Sequence, residues 1–515
     1  MNKSLITLAL AGALCAVGCG DSDGAALSRE GPMGSRSVTQ GGAQDIGLFR
    51  SIVDRGQIPR PSTIDAVGFF AEHAIDLPEA DCGDDVCMHA NLAVAPGIDQ
   101  ESNWTMAFIA LNTPVDPREL DRPDTHIVLA IEDTDRTGLF RTAAETAIRA
   151  FANELLAGDR ISIVRITDRP EVLLENVAPT DPALASVYRT AGPASATAAL
   201  YDGLARASTL IEDVSETFDG AHRVVLVTSG VADAGVTDSM RIVGLADSLA
   251  SQGTGVSVIG LGEDYRPELA QQIGEGGGGA YYFAEEATDV TEILTLEGRT
   301  SLFPLATNFE LVVEAAPGYR VGRVYGANRA WAEQRAAYLT SPVLMVGNRT
   351  GSADVDEGRR GGGGGLFVEL IVEPDLAAGL GANAPAFTAT ATWTDPSTGT
   401  PVSQSTTVNN GLAPGENPGG MFPHFADPLR GKAFMMLNMY LSLRTSVELF
   451  YEGDCAQALG IVPAMQATYD GWQGEFDDPD IAADWALLTR LSGNVQSQCT
   501  AEPVEPVAPM SCFYD

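Results

Sequence analysis

The stretch "HIVLAIEDTDRTGLF", from His126 to Phe140, decides the fold of this chain. It opens with the apolar run 127–131, which is typical of a strand buried on both faces of a parallel sheet. Charged and hydroxyl side chains follow at 132–137, and helical periodicity begins directly after them. A strand, a polar loop and a helix in this order predict one unit of an α/β domain, with the loop at the sheet edge where ligands bind.

The same alternation of strands and helices continues through the middle third of the chain. Between 139 and 157, Ala144, Ile148, Phe151 and Leu155 recur at four- and three-residue steps, which predicts a helix with one buried face. Strands separated by helical patterns predict a doubly wound, Rossmann-like α/β sheet. The predicted strands are 127–131, 160–166, 223–228, 254–262 and 280–284, with a short edge strand near 171–177.

The segments on both sides of this α/β domain alternate with a period of two residues. We predict that they form one antiparallel β-sandwich into which the α/β domain is inserted, followed by a C-terminal helical bundle. The predicted organisation is a lipoprotein signal peptide (1–18), a flexible tether (19–44), an N-terminal helical and strand region (45–122), the α/β domain (123–297), the sandwich region (298–412), a helical region (424–500) and a Pro-rich tail (501–515).

The charge balance excludes one class of partner. The 515 residues include 69 acidic and 31 basic side chains, so the formal net charge is −38. Such a surface repels phosphate backbones, and we expect no nucleic-acid binding. It is compatible with divalent cations, with basic partners, or simply with a soluble and self-repelling exterior.

The first residues predict export and a lipid anchor. Lys3 precedes an uncharged apolar run at 5–17 that is too short to span a bilayer as a mature helix. The ending "AVGC" resembles the bacterial lipobox, which implies acylation of Cys19, although Ala16 stands where that motif usually has Leu. An ordinary secretory peptide is the alternative. We therefore expect an envelope lipoprotein, and Gly20 after the anchor favours the outer membrane.

Five cysteines remain beyond the signal segment and the anchor, in a compartment that favours disulfides. Cys82 and Cys87 are close enough in "CGDDVC" to close a tight loop, and Cys455 and Cys499 could tie two helices together. Cys512 would then be left over. Spacing alone does not fix the connectivity.

No catalytic motif is present in the sequence. It contains no H-E-x-x-H and no phosphate-binding loop of the G-x-x-x-x-G-K type, and its one G-x-S-x-G match, at 20–24, lies in the predicted tether and not between a strand and a helix. Ser229 follows a predicted strand at the edge where a nucleophile would lie, but His222 is at the opposite end of the same strand. We therefore expect a protein that is not an enzyme.

Three later segments resemble those of von Willebrand factor type A domains: "VVLVTSGVADAGVTD", "GVSVIGLGEDY" and "GEGGGGAYYFAEEATDV". The segment "LFRSIVDRGQIPRPSTIDAVGFF" resembles the N-terminal region of exported bacterial proteins that carry such a domain, followed by a C-terminal β-plus-helix region. The resemblance implies a metal-ion-dependent adhesion site, built from Asp-x-Ser-x-Ser, a Thr and an Asp in three loops, which would bind Mg²⁺ together with a carboxylate of a partner.

Transferred to this chain, the resemblance places the metal-site positions on residues of mostly different chemistry. The first Asp corresponds to Glu132 and the two Ser to Thr134 and Arg136, while Ser229 replaces the final Asp. The Thr corresponds to Ala198, with Thr197 one residue away. A guanidinium cannot be a metal ligand. We therefore predict a degenerate site without metal or cofactor, and we hypothesise that Arg136 replaces the ion and pairs with Glu132.

A calcium loop is a second interpretation of the same segment. In "DTDRTG", Asp133, Asp135 and Thr137 alternate and a Gly stands sixth, as in helix-loop-helix calcium sites. The twelfth position is Ala144 rather than Glu, and a strand rather than a helix precedes the loop.

These observations favour a lipid-anchored envelope protein whose type A domain binds an unidentified envelope or extracellular protein. Two alternatives remain at this point. One is an adhesion protein that depends on Mg²⁺ or Ca²⁺ through altered ligands. The other is an architectural lipoprotein that binds nothing at this sheet edge.

Overall fold

The structure is a computed structural model of the 515-residue chain. It describes residues 36–40, 46–73, 75, 77–96, 103–115, 122–262, 265–300, 304–327, 329–346, 365–373, 380–411, 428–500 and 502–504. The predicted signal peptide, the anchor residue Cys19, Cys512 and most of the Pro-rich tail therefore lie outside the described residues.

The described residues form strands and helices that are numbered here in chain order. The strands are β1 (Arg36–Gln40), β2 (Cys87–Pro96), β3 (Asn103–Thr113), β4 (Thr125–Glu132), β5 (Arg160–Ile166), β6 (Glu171–Val177), β7 (Ala221–Thr228), β8 (Gly255–Leu261), β9 (Gly278–Ala284), β10 (Pro304–Ala315), β11 (Tyr319–Tyr325), β12 (Ala330–Ala332), β13 (Ala336–Val346), β14 (Gly365–Val372), β15 (Pro385–Thr394) and β16 (Pro401–Asn409). The helices are α1 (Gly47–Asp54), α2 (Ala66–Ala71), α3 (Arg141–Asn153), α4 (Leu200–Ser215), α5 (Ser239–Ser251), α6 (Pro267–Gly277), α7 (Ala287–Thr300), α8 (Pro428–Glu452), α9 (Cys455–Phe476) and α10 (Pro479–Gln498).

The middle of the chain is a doubly wound α/β domain. Its six strands lie in the order β6-β5-β4-β7-β8-β9, and all are parallel except β6 at one edge. Apolar residues on the two faces of the sheet enter two separate cores, one with α3 and α7 and the other with α4, α5 and α6. The predicted fold class is confirmed, and β4 lies near the centre of the sheet as its unbroken apolar run indicated.

Local sequence explains where these helices begin. The side chain of Asp238 accepts a hydrogen bond from the Arg241 backbone and caps α5, and Pro267 opens α6. Pro182–Ser186 forms a short 3₁₀ segment, after which the chain approaches the sheet edge without helical structure.

Strands from both sides of the α/β domain join in one antiparallel system, as predicted. One layer contains β11, β14, β3 and β2, and the other contains β13, β10, β15 and β16. Their inner faces share one core that includes Ile109, Val368, Leu311 and Phe387. The α/β domain is therefore inserted between β3 and β10 of a β-sandwich.

The prediction of a flexible tether over 19–44 is wrong for part of that range. Residues 36–40 form β1, which pairs with both β13 and β3 and so links the two layers of the sandwich. Val38 is 4% exposed and lies in the sandwich core. The polar composition of the segment concealed the burial of Val38.

Helices from the two ends of the described chain cover the outer face of β3 and β14. Phe49, Phe69 and Phe70 of the N-terminal helices share a core with Phe367 and with the Met- and Leu-rich faces of α8, α9 and α10. The apolar segment 433–443 is buried inside this bundle. Within the described residues, no helix is both long and apolar enough to cross a bilayer.

Two disulfides close local loops. Cys82 bonds to Cys87 just before β2, and Cys455 at the start of α9 bonds to Cys499 after α10. Both pairings are among those that the sequence left open. The second ties the outer ends of two antiparallel helices.

Candidate functional site

Three loops meet at the C-terminal edge of the parallel sheet. We call this surface the loop edge and define it as residues 132–140, 191–199 and 228–238. Backbone hydrogen bonds hold the loops together: Ser195 N donates to Asp133 O over 3.1 Å, and Asp233 N donates to Ala198 O over 3.2 Å. The strand order places all three loops at this edge, where the sequence predicted the loop after the first strand to lie.

Glu132 lies at the centre of the loop edge and is 1% exposed. One carboxylate oxygen accepts hydrogen bonds from Thr134 Oγ1 over 2.6 Å and from Ser229 Oγ over 2.9 Å. The other accepts from Thr228 Oγ1 over 2.7 Å and from Ser229 N over 2.8 Å. Both oxygens are thus occupied by donors of the chain itself, which stabilise a buried carboxylate that would otherwise be costly.

Arg136 does not pair with Glu132, so that hypothesis is wrong about the partner. Its guanidinium bonds instead to both carboxylate oxygens of Asp233, over 2.6 and 3.0 Å. Asp233 also accepts a hydrogen bond from Ala198 N over 2.8 Å. The hydrogen bond from Arg136, helped by that from the Ala198 amide, lowers the pKa of Asp233. One bidentate pair therefore connects all three loops.

Asp133 is held by two other arginines. Its carboxylate accepts from Arg165 Nε over 2.5 Å and from Arg141 Nη2 over 2.7 Å, and both arginines also donate to the carbonyl of Gly192. Thr137 Oγ1 donates to Thr134 O within a 3₁₀ turn, Asp135–Thr137, and Asp135 is exposed. These side chains do not converge on one point, so the geometry opposes the calcium-loop interpretation.

The remaining predicted positions lie at the loop edge in different roles. Ala198 contributes its backbone amide to Asp233, and Thr197 N donates to Ser195 Oγ over 3.2 Å. The hydroxyl of Ser229 is fully buried against Glu132, and His222 lies at the far end of β7. No group of three or more His, Cys, Asp or Glu side chains within the described residues is arranged to hold a metal ion.

The sequence analysis did not identify the acidic partners of Arg136, Arg165 and Arg141. Asp233 is the only acidic residue between Thr228 and Asp238, and this isolation could have identified it as a partner for Arg136. Arg165 stands inside the apolar strand "RISIVRI", where an unpaired charge is not tolerated, and so also predicted an acidic partner. No pattern in the sequence indicated that Arg141 would donate to Asp133.

Comparison with known proteins gives only distant structural matches. No protein-family profile matches the chain, and no curated protein matches it. Structures similar to this one include a von Willebrand factor type A protein from Catenulispora acidiphila, with 14% identity over 76% of this chain and 88% of that chain, at a TM-score of 0.49. The ArnB paralog VWA2 from Sulfolobus acidocaldarius is 14% identical over 79% of this chain and 98% of that chain, at 0.42.

A pilus adhesin, SpaC from Lactobacillus rhamnosus GG, is more distant, with 10% identity over 64% of this chain and 49% of that chain and a TM-score of 0.31. The three neighbours named here are thus two von Willebrand factor type A proteins and one pilus adhesin. At these identities and scores, the likeness carries no argument about partner or mechanism.

Proposed function

We propose that this chain is a non-enzymatic, lipid-anchored protein of the cell envelope, and that its α/β domain binds a partner protein at the loop edge without a metal ion. The observation that carries the proposal is that both Glu132 and Arg136 are bonded to groups of the chain itself. The acidic residue is saturated by four internal donors, and the arginine is paired with Asp233.

The donor set of the loop edge does not fit Mg²⁺. Mg²⁺ requires an octahedral shell of oxygens, and a site for it needs carboxylates that are free to coordinate. Here Glu132 would have to give up its hydrogen bonds to Thr134, Thr228 and Ser229 before it could bind a cation. Arg136 places a fixed positive charge in the same loop. The Arg136–Asp233 ion pair, together with the hydrogen bond from Ala198 N to Asp233, therefore connects the three loops without a cation.

Two exposed apolar side chains support protein binding at this edge. Phe140, which precedes α3, is 77% exposed, and Met240, in the first turn of α5, is 82% exposed. Both helices begin at the C-terminal ends of parallel strands, so both side chains lie on the side of the sheet that carries the loop edge. Large apolar side chains that stay in water beside ordered polar loops are typical of interface anchors.

Crosslinking in intact cells, followed by mass spectrometry, tests this proposal. We expect the same crosslinked partners with and without a divalent-ion chelator, and we expect Phe140→Ala/Met240→Ala to lose them. Leu156→Ala is the matched control, because Leu156 is 45% exposed but follows α3 at the opposite end of the domain. Chelator-sensitive crosslinks would support the metal-dependent alternative, and equal crosslinking by all variants would support the architectural one.

The lipid anchor is tested separately. Cys19 lies outside the described residues, and its assignment depends on the lipobox resemblance of the sequence. We expect the wild-type protein to incorporate radiolabelled palmitate and to sediment with membranes. Cys19→Ser should lose both properties, and incorporation of the label by that variant would contradict the anchor.

A further inference from the structure

The outer face of the sandwich carries a second surface with an unusual combination of side chains. Trp331 of β12 stacks on Tyr338 of β13, with ring centroids 5.1 Å apart and planes 12° from parallel. Trp331 is nevertheless 45% exposed. Three glutamates surround this stack: Glu310 and Glu314 on β10 and Glu333 at the β12–β13 turn. We call these five residues the aromatic–acidic patch.

The strand register brings the members of the patch together. Tyr338 lies opposite Trp331 on one side and opposite Val312 on the other. Glu310 and Glu314 are two residues before and after Val312, so they flank Tyr338 on the same face. Partial burial and the carboxylates of Glu333, Glu314 and Glu310 raise the pKa of Tyr338, which places all three within electrostatic reach of its hydroxyl.

The negative charge of the patch is not balanced locally. Within the part of the chain that the structure describes, none of these glutamates forms an ion pair with a basic side chain. Arg335, in the same hairpin, is directed elsewhere: its guanidinium lies 3.5 Å from Glu373 and donates to Ala315 O. Three carboxylates around one hydroxyl repel one another, and an incoming cation would relieve that repulsion.

The geometry points to a binding site for a cationic side chain of a basic partner protein. An exposed indole offers its π face to an ammonium or guanidinium group, and adjacent carboxylates accept its hydrogen bonds. Neither the indole nor the carboxylates alone would indicate a binding site, because solvated acidic surfaces and single exposed aromatic side chains are both common. Their superposition favours an arginine- or lysine-bearing segment. This site is independent of the loop edge, which lies in the other domain.

Fluorescence titration with a tetra-arginine peptide tests the site. We expect saturable binding that weakens with salt, and we expect Glu310→Gln/Glu314→Gln/Glu333→Gln to reduce affinity at least about tenfold. Trp331→Ala should reduce affinity about two- to fivefold, in line with an exposed cation–π contact. All four residues have exposed side chains, so the variants should keep the wild-type thermal midpoint.

A triple variant elsewhere controls for the large negative charge of the whole chain. Glu212, Glu216 and Glu452 are also exposed, and changing them to Gln alters the net charge by the same amount. We expect this control to change peptide affinity less than about twofold, because its carboxylates lie outside the aromatic–acidic patch and their charge is screened by salt. Equal weakening by both triple variants, unchanged affinity in Trp331→Ala, or binding of a neutral oligosaccharide in place of the peptide would overturn the proposal.

Discussion

At the residue scale, the acidic side chains of the loop edge are satisfied one by one. Glu132, Asp133 and Asp233 each have their own donors, and no donor set is shared between them. The sequence identified Glu132 and Arg136 as the decisive positions but paired them with each other. The reason is geometric. The carboxylate of Glu132 already accepts hydrogen bonds from nearby hydroxyls, those of Thr134, Thr228 and Ser229.

Glu132→Gln should destabilise the protein. The amide group of Gln would face hydroxyl and N–H donors, and at least one buried donor would lose its acceptor at a cost of about 1–3 kcal/mol. Urea unfolding measures this change. Asp135→Asn is the control, since Asp135 is exposed in the same loop and should change the free energy of unfolding by less than about 0.5 kcal/mol. Wild-type stability in Glu132→Gln would contradict the described contacts.

His126 should make the protein sensitive to acid. Burial, and to a lesser extent His222, lowers the pKa of His126 from 6.5 to about 4. Above pH 6.5 neither the folded nor the unfolded chain binds a proton here. As the pH falls from 6.5 towards 4, only the unfolded chain becomes protonated, so folding stability is lost by up to about 3 kcal/mol.

Comparison of wild type with His126→Gln measures this effect. The loss of unfolding free energy between about pH 7.5 and about pH 4.5 should be smaller in the variant. His89→Gln, at a partly exposed strand position, should keep the wild-type dependence. An equally steep loss in His126→Gln would show that other groups cause the acid sensitivity.

At the element scale, periodicity predicted the strands and helices well where one face is buried. The alternating strands of the sandwich and the apolar strand β4 lie where the pattern placed them. The strand β1 was missed because it has only five residues, four of them polar or charged, and so few residues give no hydrophobic period. Its stability comes from hydrogen bonds to two other strands, which are distant in sequence.

Truncation tests the role of β1. The chain that lacks residues 1–35 keeps β1 and is the reference. Removal of 1–40 should lower the free energy of unfolding by roughly 2 kcal/mol or more, since Val38 leaves the core and β3 and β13 lose a pairing partner. Identical midpoints for the two truncated chains would contradict a structural role for β1.

At the scale of the whole molecule, a buried ionic network joins the two ends of the chain. His73, which follows α2, bonds through Nε2 to Asp484 of α10 over 2.6 Å and through Nδ1 to Phe69 O over 2.9 Å. Both acceptors need a proton donated by the ring, so His73 is an imidazolium. Burial alone would lower the pKa of His73, but the carboxylate of Asp484 raises it above its ordinary value. Arg50 of α1 pairs with Glu72 and lies 3.8 Å from Asp484. The sequence could not predict this network because Asp484 is more than 400 residues away from His73 and Arg50.

Asp484→Asn should loosen both helical segments together. Removing one partner from a buried ion pair costs about 3–5 kcal/mol, because the remaining charges lose their counterion. Hydrogen exchange should show reduced protection in α1 and α2 as well as in α10, with the α/β domain unchanged. Asp470→Asn, at an exposed position on α9, should leave exchange as in wild type. Loss of protection confined to α10 would contradict the network.

The central claim concerns how the three loops of the α/β domain are held together. Isothermal titration of the purified protein with Mg²⁺ at millimolar concentration tests it most directly. The internal hydrogen bonds of Glu132 and the Arg136–Asp233 pair predict no stoichiometric heat of binding, in wild type or in Glu132→Gln. One Mg²⁺ bound per chain in wild type, and none in Glu132→Gln, would contradict the claim.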